Sequence, residues 1–336
     1  MTSPRRNRRW GGHPRGPTPE PKPFVWVRLP TDPPQRKEPA THERFTGLTG
    51  HLELSFTVVS DHLFVGSGFY EFNPNPGDRQ PDVWQTFYRR EGQVCVPGTG
   101  LKGAIRALVE AISNSCVSQH KRGERVPQSH ERCRGTKLCP ACGLFGTTGL
   151  RGRVSFADAL ADPSVETQVV KIAELWPPKR FAGRKFYQTK WGVELSDLRP
   201  QKNFRFVEAV PQGSRFRTVL YFENLAEVEL GLLAYALGWE PRAPGGLAQA
   251  FPPKLGGAKP RCFGAVTFQC ERVVLWELQP NGLLTKQEVQ GSKTLQMLNT
   301  WMEQARASEL LHLASWEVLS QELRPQEDRT CPREVY

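Results

Sequence analysis

From Gly50 onward the chain alternates between two hydrophobic periods. HLELSFTVVS places Leu52, Leu54, Phe56 and Val58 on one side, the two-residue period of a strand with one buried face. RFRTVLYFENL reads the same way, with Phe216, Val219 and Tyr221 or Phe222 among its apolar positions. VSFADA and the long run after KLGGAKPRCFG predict two further strands, and VCVPG a short one that ends in a turn. LKGAIRALVEAI repeats apolar residues at helical spacing, Leu101, Ile105, Leu108, Val109 and Ile112, with Lys102 and Arg106 one turn apart on its polar face. Thr99 reads as its N-cap. EVELGLLAYALGW predicts a second helix with Gly238 near its end. A third is expected around 292–319, with Leu295, Leu298, Trp301 and Met302 as a packing stripe. Residues 69–93 read as one long loop, carrying Asp78 and Asp82 among Pro, Asn and Gly.

Strand, helix, strand, strand, helix, strand is the order of a split βαβ, or ferredoxin-like, α+β fold with both helices on one face of an antiparallel sheet. The division expected is a basic Pro/Gly-rich tail over 1–48, one domain over 49–275 with an insertion at about 116–148, and a helical extension over 276–336. The tail holds Arg5, Arg6, Arg8, Arg9 and Trp10 but few apolar residues, too few to offset the entropy of ordering. The whole chain carries a formal net charge of +11, which makes a polyanion, nucleic acid first, a natural partner. No apolar run approaches the roughly 20 residues of a membrane span, and no secretory signal is visible. The expectation is a cytoplasmic protein with no membrane partner, in a reducing setting where clustered cysteines mean metal more often than disulfides.

Of the eight cysteines, Cys133, Cys139 and Cys142 fall within ten residues, the last two as CPAC. A C-x2-C turn aims two thiolates at one ion, and tetrahedral Zn2+ takes four such ligands. Cys116, at the end of the preceding helix, is the choice for the fourth ligand and His130 the alternative; His120 lies in the same loop. No acid suited to activating a bound water stands nearby, so the expected role is structural. The reading without metal is a redox C-x-x-C pair.

Two further stretches suit phosphates. PGTGLKGAIR opens a helix whose free N–H groups, positive end and two cations point to an anion. LGGAKPRCFG, residues 255–264, adds Lys259 and Arg261 to a glycine-rich loop that permits close backbone approach. Together they suggest two walls of one backbone-tracking groove. GRKFYQTKW interleaves Arg184, Lys185 and Lys190 with Phe186, Tyr187 and Trp191; rings of this kind stack on splayed bases, or else form the packed side of a strand.

VGSG, PGTGLKGAIRALVEA, CPACGLFG, GRVSFADA, GRKFY, FENLAEVELGLLAYALG and KLGGAKPRCFGAVTF, in this order over about 50–275, resemble the RAMP superfamily of CRISPR-associated proteins, and within it the backbone subunits of type III effector complexes. The resemblance implies a modified ferredoxin-like (RRM-like) fold with a thumb-like hairpin insertion, stacked with other effector subunits along guide (CRISPR) RNA. It also implies a target RNA paired to that guide, which some such subunits cleave with a loop Asp and a divalent metal. Carried over, Ser67 falls in the first-strand glycine turn, Thr99, Lys102 and Arg106 in the helix-start motif, and Lys259 and Arg261 in the glycine-rich loop, all as guide contacts. The cleavage Asp falls at Asp82, with Asp78 as the alternative, and Mg2+ would be the ion. Pro74, Pro76 and Pro81 crowd that loop, Ala258 and Cys262 stand where glycines are common, and GRKFYQTKW lacks a histidine often found after the Tyr. Two other functions stay open: a CRISPR-RNA processing endoribonuclease working through His51 or His62, and a scaffold that binds protein neighbours.

Overall fold

The structure is a computed structural model that describes residues 23–75, 77–119, 126–174, 183–189, 197–326 and 331–332. Arg5, Arg6, Arg8, Arg9, Trp10, Pro76, His120, Lys190 and Trp191 lie outside these residues.

An eight-stranded antiparallel sheet forms the main body. Its four principal positions run Val266–Leu278, Leu48–Val58, Arg215–Leu225, then the pair Val154–Phe156 and Ala159–Ala161 side by side along one partner. Leu284–Gln290 extends one edge, while Gln93–Val96 and Arg89–Arg90 extend the other. The alternation read in the sequence explains the layering. Leu52, Leu54, Phe56 and Val58 are buried. In the neighbouring strand the inward set is Phe216, Thr218, Leu220 and Phe222, so Tyr221 points out and is 46% exposed. Phe56 sits in register with both Phe216 and Phe268, and its ring lies 5.0 Å from the first and 5.3 Å from the second. Such cross-strand aromatic pairs fix the register of a half-buried sheet.

Five helices pack around this sheet: α1 (Gly98–Ile112), α2 (Pro140–Phe145), α3 (Glu227–Ala236), α4 (Ser292–Ala307) and α5 (Leu313–Glu322). The apolar positions read for α1 are all buried. Its start differs from the expectation. The N-cap position is Pro97, so Thr99 lies inside the first turn and caps nothing. Gly98 is required there, because a Cβ at this position would stand 2.1 Å from the Phe156 carbonyl oxygen. The single helix expected around 292–319 is two, α4 and α5, which meet at an extended Ser308. His312 starts the second by accepting the Ser315 N–H. Leu298, Trp301 and Met302 pack as expected, but Leu295 is 39% exposed.

The stretch read as a loop over 69–93 is largely strand. Gly66–Phe72 and Val83–Phe87 form a hairpin, and a shorter one follows from Arg89–Arg90 to Gln93–Val96. The first hairpin joins Phe204–Pro211 and Gln168–Ala173 in a second sheet. Glu208 fastens it there: the buried carboxylate accepts from Arg89, from the Phe87 N–H at 2.7 Å and from the Thr167 hydroxyl at 2.5 Å. Within the range expected as tail, Phe24–Val27 pairs as a strand with Arg184–Tyr187, and Lys37 bridges Leu138. No described helix is long and apolar enough to cross a membrane.

Candidate metal centre and nucleic-acid interface

The Cys116, Cys133, Cys139 and Cys142 thiols are buried, and their sulfurs all lie within 4.8 Å of one another. Cys116 Sγ stands 3.5 Å from Cys142 Sγ and 3.6 Å from Cys139 Sγ. A zinc tetrahedron with Zn–S bonds of about 2.3 Å separates its sulfurs by about 3.8 Å, so the cluster closes on that ion with small movements. Three local devices hold the ligands. Cys116 follows the end of α1; Cys139 is the N-cap of α2, which opens with Pro140; and one turn later the same helix presents Cys142. Four thiolates leave no position for water, the pattern of a structural site. His130, the alternative ligand, is buried elsewhere, with Nε2 3.2 Å from Asn114 Oδ1 and Nδ1 3.1 Å from Ser129 Oγ.

Such a centre carries net negative charge, and the protein answers it with arginines. Arg36 Nε donates to Cys133 Sγ at 3.4 Å and Arg106 Nη2 to Cys142 Sγ at 3.4 Å. The Cys139 N–H adds a third contact, to Cys133 Sγ at 3.3 Å. Hydrogen bonding from Cys116 holds the Cys133 thiol well below its ordinary value and brings Cys139 down to about 6. Cys116 itself is pushed far up by its contact with Cys133. A divalent ion replaces the shared protons, so metal uptake releases them. Arg36 was invisible in the sequence reading; it sits in a Pro-rich stretch whose pattern marks nothing.

The residues expected to hold RNA divide into two groups. Arg106 is engaged on every side, by Glu110 Oε1 at 2.9 Å, the Gly146 carbonyl at 3.0 Å and Cys142. Arg184 is buried and donates to the Ser115 and Cys116 carbonyls. Arg261 is buried too, clasping the carbonyls of Ala173, Glu174 and Pro332 at 3.2–3.3 Å. These three guanidiniums brace the fold. The Gly98 N–H at the helix start is taken by Asp158 Oδ1 at 2.8 Å. Lys185 lies over the Phe24 ring at 3.9 Å, which makes GRKFY the packed side of a strand. Ser67 Oγ accepts the Phe69 N–H and meets Thr86 Oγ1 at 2.5 Å.

The cations that keep an accessible ammonium are Lys102 and Lys259, both half-buried. Burial, with Arg106 and Arg151 nearby, lowers the Lys102 pKa from its ordinary value. The helix start and the glycine-rich loop stand against different neighbours, Phe156–Asp158 for the first and His62–Phe64 for the second, and no printed contact joins them. Asp78 and Asp82 are exposed at the hairpin tip, where the Asp82 carbonyl accepts the Asn73 N–H. Among the described residues the only group of three or more metal-binding side chains is the cysteine cluster, so nothing there supports Mg2+. His51 Nε2 is 3.9 Å from Glu53 Oε1, and His62 is buried beside Gln168. Cys262 and Cys331 form a disulfide, an arrangement the two distant sequence positions did not signal.

These features describe a mixed α+β protein with mostly antiparallel sheets and a buried four-cysteine centre. The family model of the RAMP superfamily matches residues 55–267, nearly two thirds of the chain, and the chain belongs to that superfamily. No curated protein matches it.

Proposed function

We propose that this chain is an RNA-holding backbone subunit of a type III CRISPR effector ribonucleoprotein, stapled by one structural zinc ion. The observation that carries the reading is the superfamily match over 55–267, which falls on the strands and helices of the central sheet. Taken in chain order, its principal strands lie fourth, first, third, second, with α1 and α3 as the two crossovers. That is the order of a split βαβ, so the ferredoxin-like assignment belongs to the same proposal. The guide RNA is held by its phosphates through Lys102, Thr99, Ser67 and Lys259, with other effector subunits as neighbours along it. The aromatic hairpin Gly66–Phe72 to Val83–Phe87, with Phe69 76% and Phe72 75% exposed, is the thumb-like insertion. The cysteines supply rigidity and no chemistry.

Target-RNA cleavage is assigned to the hairpin tip, to Asp82 before Asp78, acting with a divalent ion whose other ligands come from RNA and solvent. Replacing Asp82 by Ala in the assembled complex should abolish cleavage at this subunit's site while guide binding persists. Unchanged cleavage removes Asp82 from the mechanism and leaves the RNA-holding role standing.

A further inference from the structure

The glycine-rich loop is over-determined. Ala258 and Cys262 both sit in the left-handed region, at φ 51° and 65°, on either side of the turn Lys259–Arg261. Side chains avoid that region unless the surroundings impose it. Here three things impose it. Arg261 holds three carbonyls of other segments. The disulfide ties Cys262 to Cys331. Gly256 lies so close to the Phe64 carbonyl that a Cβ would approach its oxygen to 2.1 Å.

Two lysines are left on this rigid frame. Lys254, bridged to Ala265, and Lys259 are half-buried and close enough that each weakens the charge of the other. Lys254 Nζ donates to the Phe263 carbonyl at 3.3 Å, and among the described residues neither ammonium has a carboxylate within ion-pair distance. The other charged or titratable groups that face the pair are Asp61, whose charge favours Lys254⁺, His62, packed on Phe263 at 5.1 Å, and Arg261, committed to its carbonyls. Two poorly solvated ammonium groups without a counter-charge leave an excess of positive charge in a pre-formed recess.

We propose that Lys254 and Lys259 together form a two-ammonium recess that takes one RNA phosphodiester, with Lys254 as its inner ligand. The inference rests on the RNA-binding reading above and adds to it a ligand and a pH response. Burial pushes Lys254 down to about 7 and Lys259 down to about 8. A base whose folded pKa is depressed loses its charge as pH rises through that value. The recess therefore drains of charge across neutral pH, whereas ordinary lysines stay charged to about 10.

The test measures the affinity of the full chain for a single-stranded RNA oligonucleotide at fixed salt, at pH 6.5, 7.5 and 8.5. Wild-type affinity should fall about tenfold over this range, the scale of one charge-assisted contact. Lys254→Gln should bind about tenfold more weakly at pH 6.5. Lys254→Arg should keep its charge, bind at least as tightly as wild type at pH 8.5 and show a flatter profile. Thermal melting shows whether the variants fold, and if Lys254→Gln does not, the flattening by Lys254→Arg decides. RNA binding that is flat with pH and unchanged in the folded variants overturns the recess alone. A wild-type chain that binds no RNA at pH 6.5 overturns the RNA-binding reading and the recess with it.

Discussion

The cysteine centre and the hairpin tip are opposite kinds of place. At the centre every sulfur is buried and two guanidiniums and a backbone N–H point at the cluster. At the tip Asp78 and Asp82 stand in solvent, flanked by aromatic side chains that cover nothing. The first is a place where stability is made. The second can act only with something added from outside. A residue type that looks functional in a sequence takes its role from which kind of place receives it. Arg106, Arg184 and Arg261 suit RNA by composition, yet the fold uses them as braces.

The largest effect that would sharpen this contrast is loss of a ligand. Cys142→Ser should abolish stoichiometric zinc, read by elemental analysis, and lower the melting temperature sharply, because structural zinc contributes on the order of 10 kcal/mol of binding free energy in small domains. A chain that folds equally well without metal would erase the distinction. Next comes the anchor of the hairpin. Arg89→Ala leaves the Glu208 carboxylate buried without its partner and should cost about 3 kcal/mol by denaturant unfolding.

The same carboxylate gives a pH response. Burial works against its charge, but Arg89, Thr167 and the Phe87 N–H more than offset that, and its pKa lies below the ordinary 4.5. A carboxylate depressed in the folded state contributes stability above 4.5 that is lost as pH falls through the folded value. Acid unfolding of wild type should therefore be steeper below that point than in Glu208→Gln. Smaller again, Arg36→Ala should weaken zinc affinity about 10- to 100-fold in a chelator competition, the usual scale for a partner of the ligands. Smallest is Asp82→Ala, which should change stability by less than about 0.5 kcal/mol, since an exposed side chain has nothing to lose.

How much was legible follows the same line. The strand alternation from Leu52 to Val58 and the helical stripe from Leu101 to Ile112 were readable, because burial leaves a period. The four ligands were readable because metal chelation constrains spacing. The hairpin was not: Phe69, Tyr70 and Phe72 are apolar without being buried, and Pro and Gly around them mimic a loop. The fates of Arg184 and Arg261 were not readable either, since a sequence displays a charge but not the carbonyls it will meet. The Cys262–Cys331 pair spans 69 residues, a separation at which no local pattern can speak. Tyr221 shows the finest limit: only its register against His51 decides that it, and not Phe222, faces out.

The central claim is that this fold holds RNA by its phosphates, and the salt dependence of binding tests it most directly. With zinc-loaded full chain and single-stranded RNA, the logarithm of the binding constant should fall linearly with the logarithm of salt concentration, with a slope of about −0.7 for each phosphate neutralised and several phosphates engaged. Weak binding that does not change with salt would contradict the account.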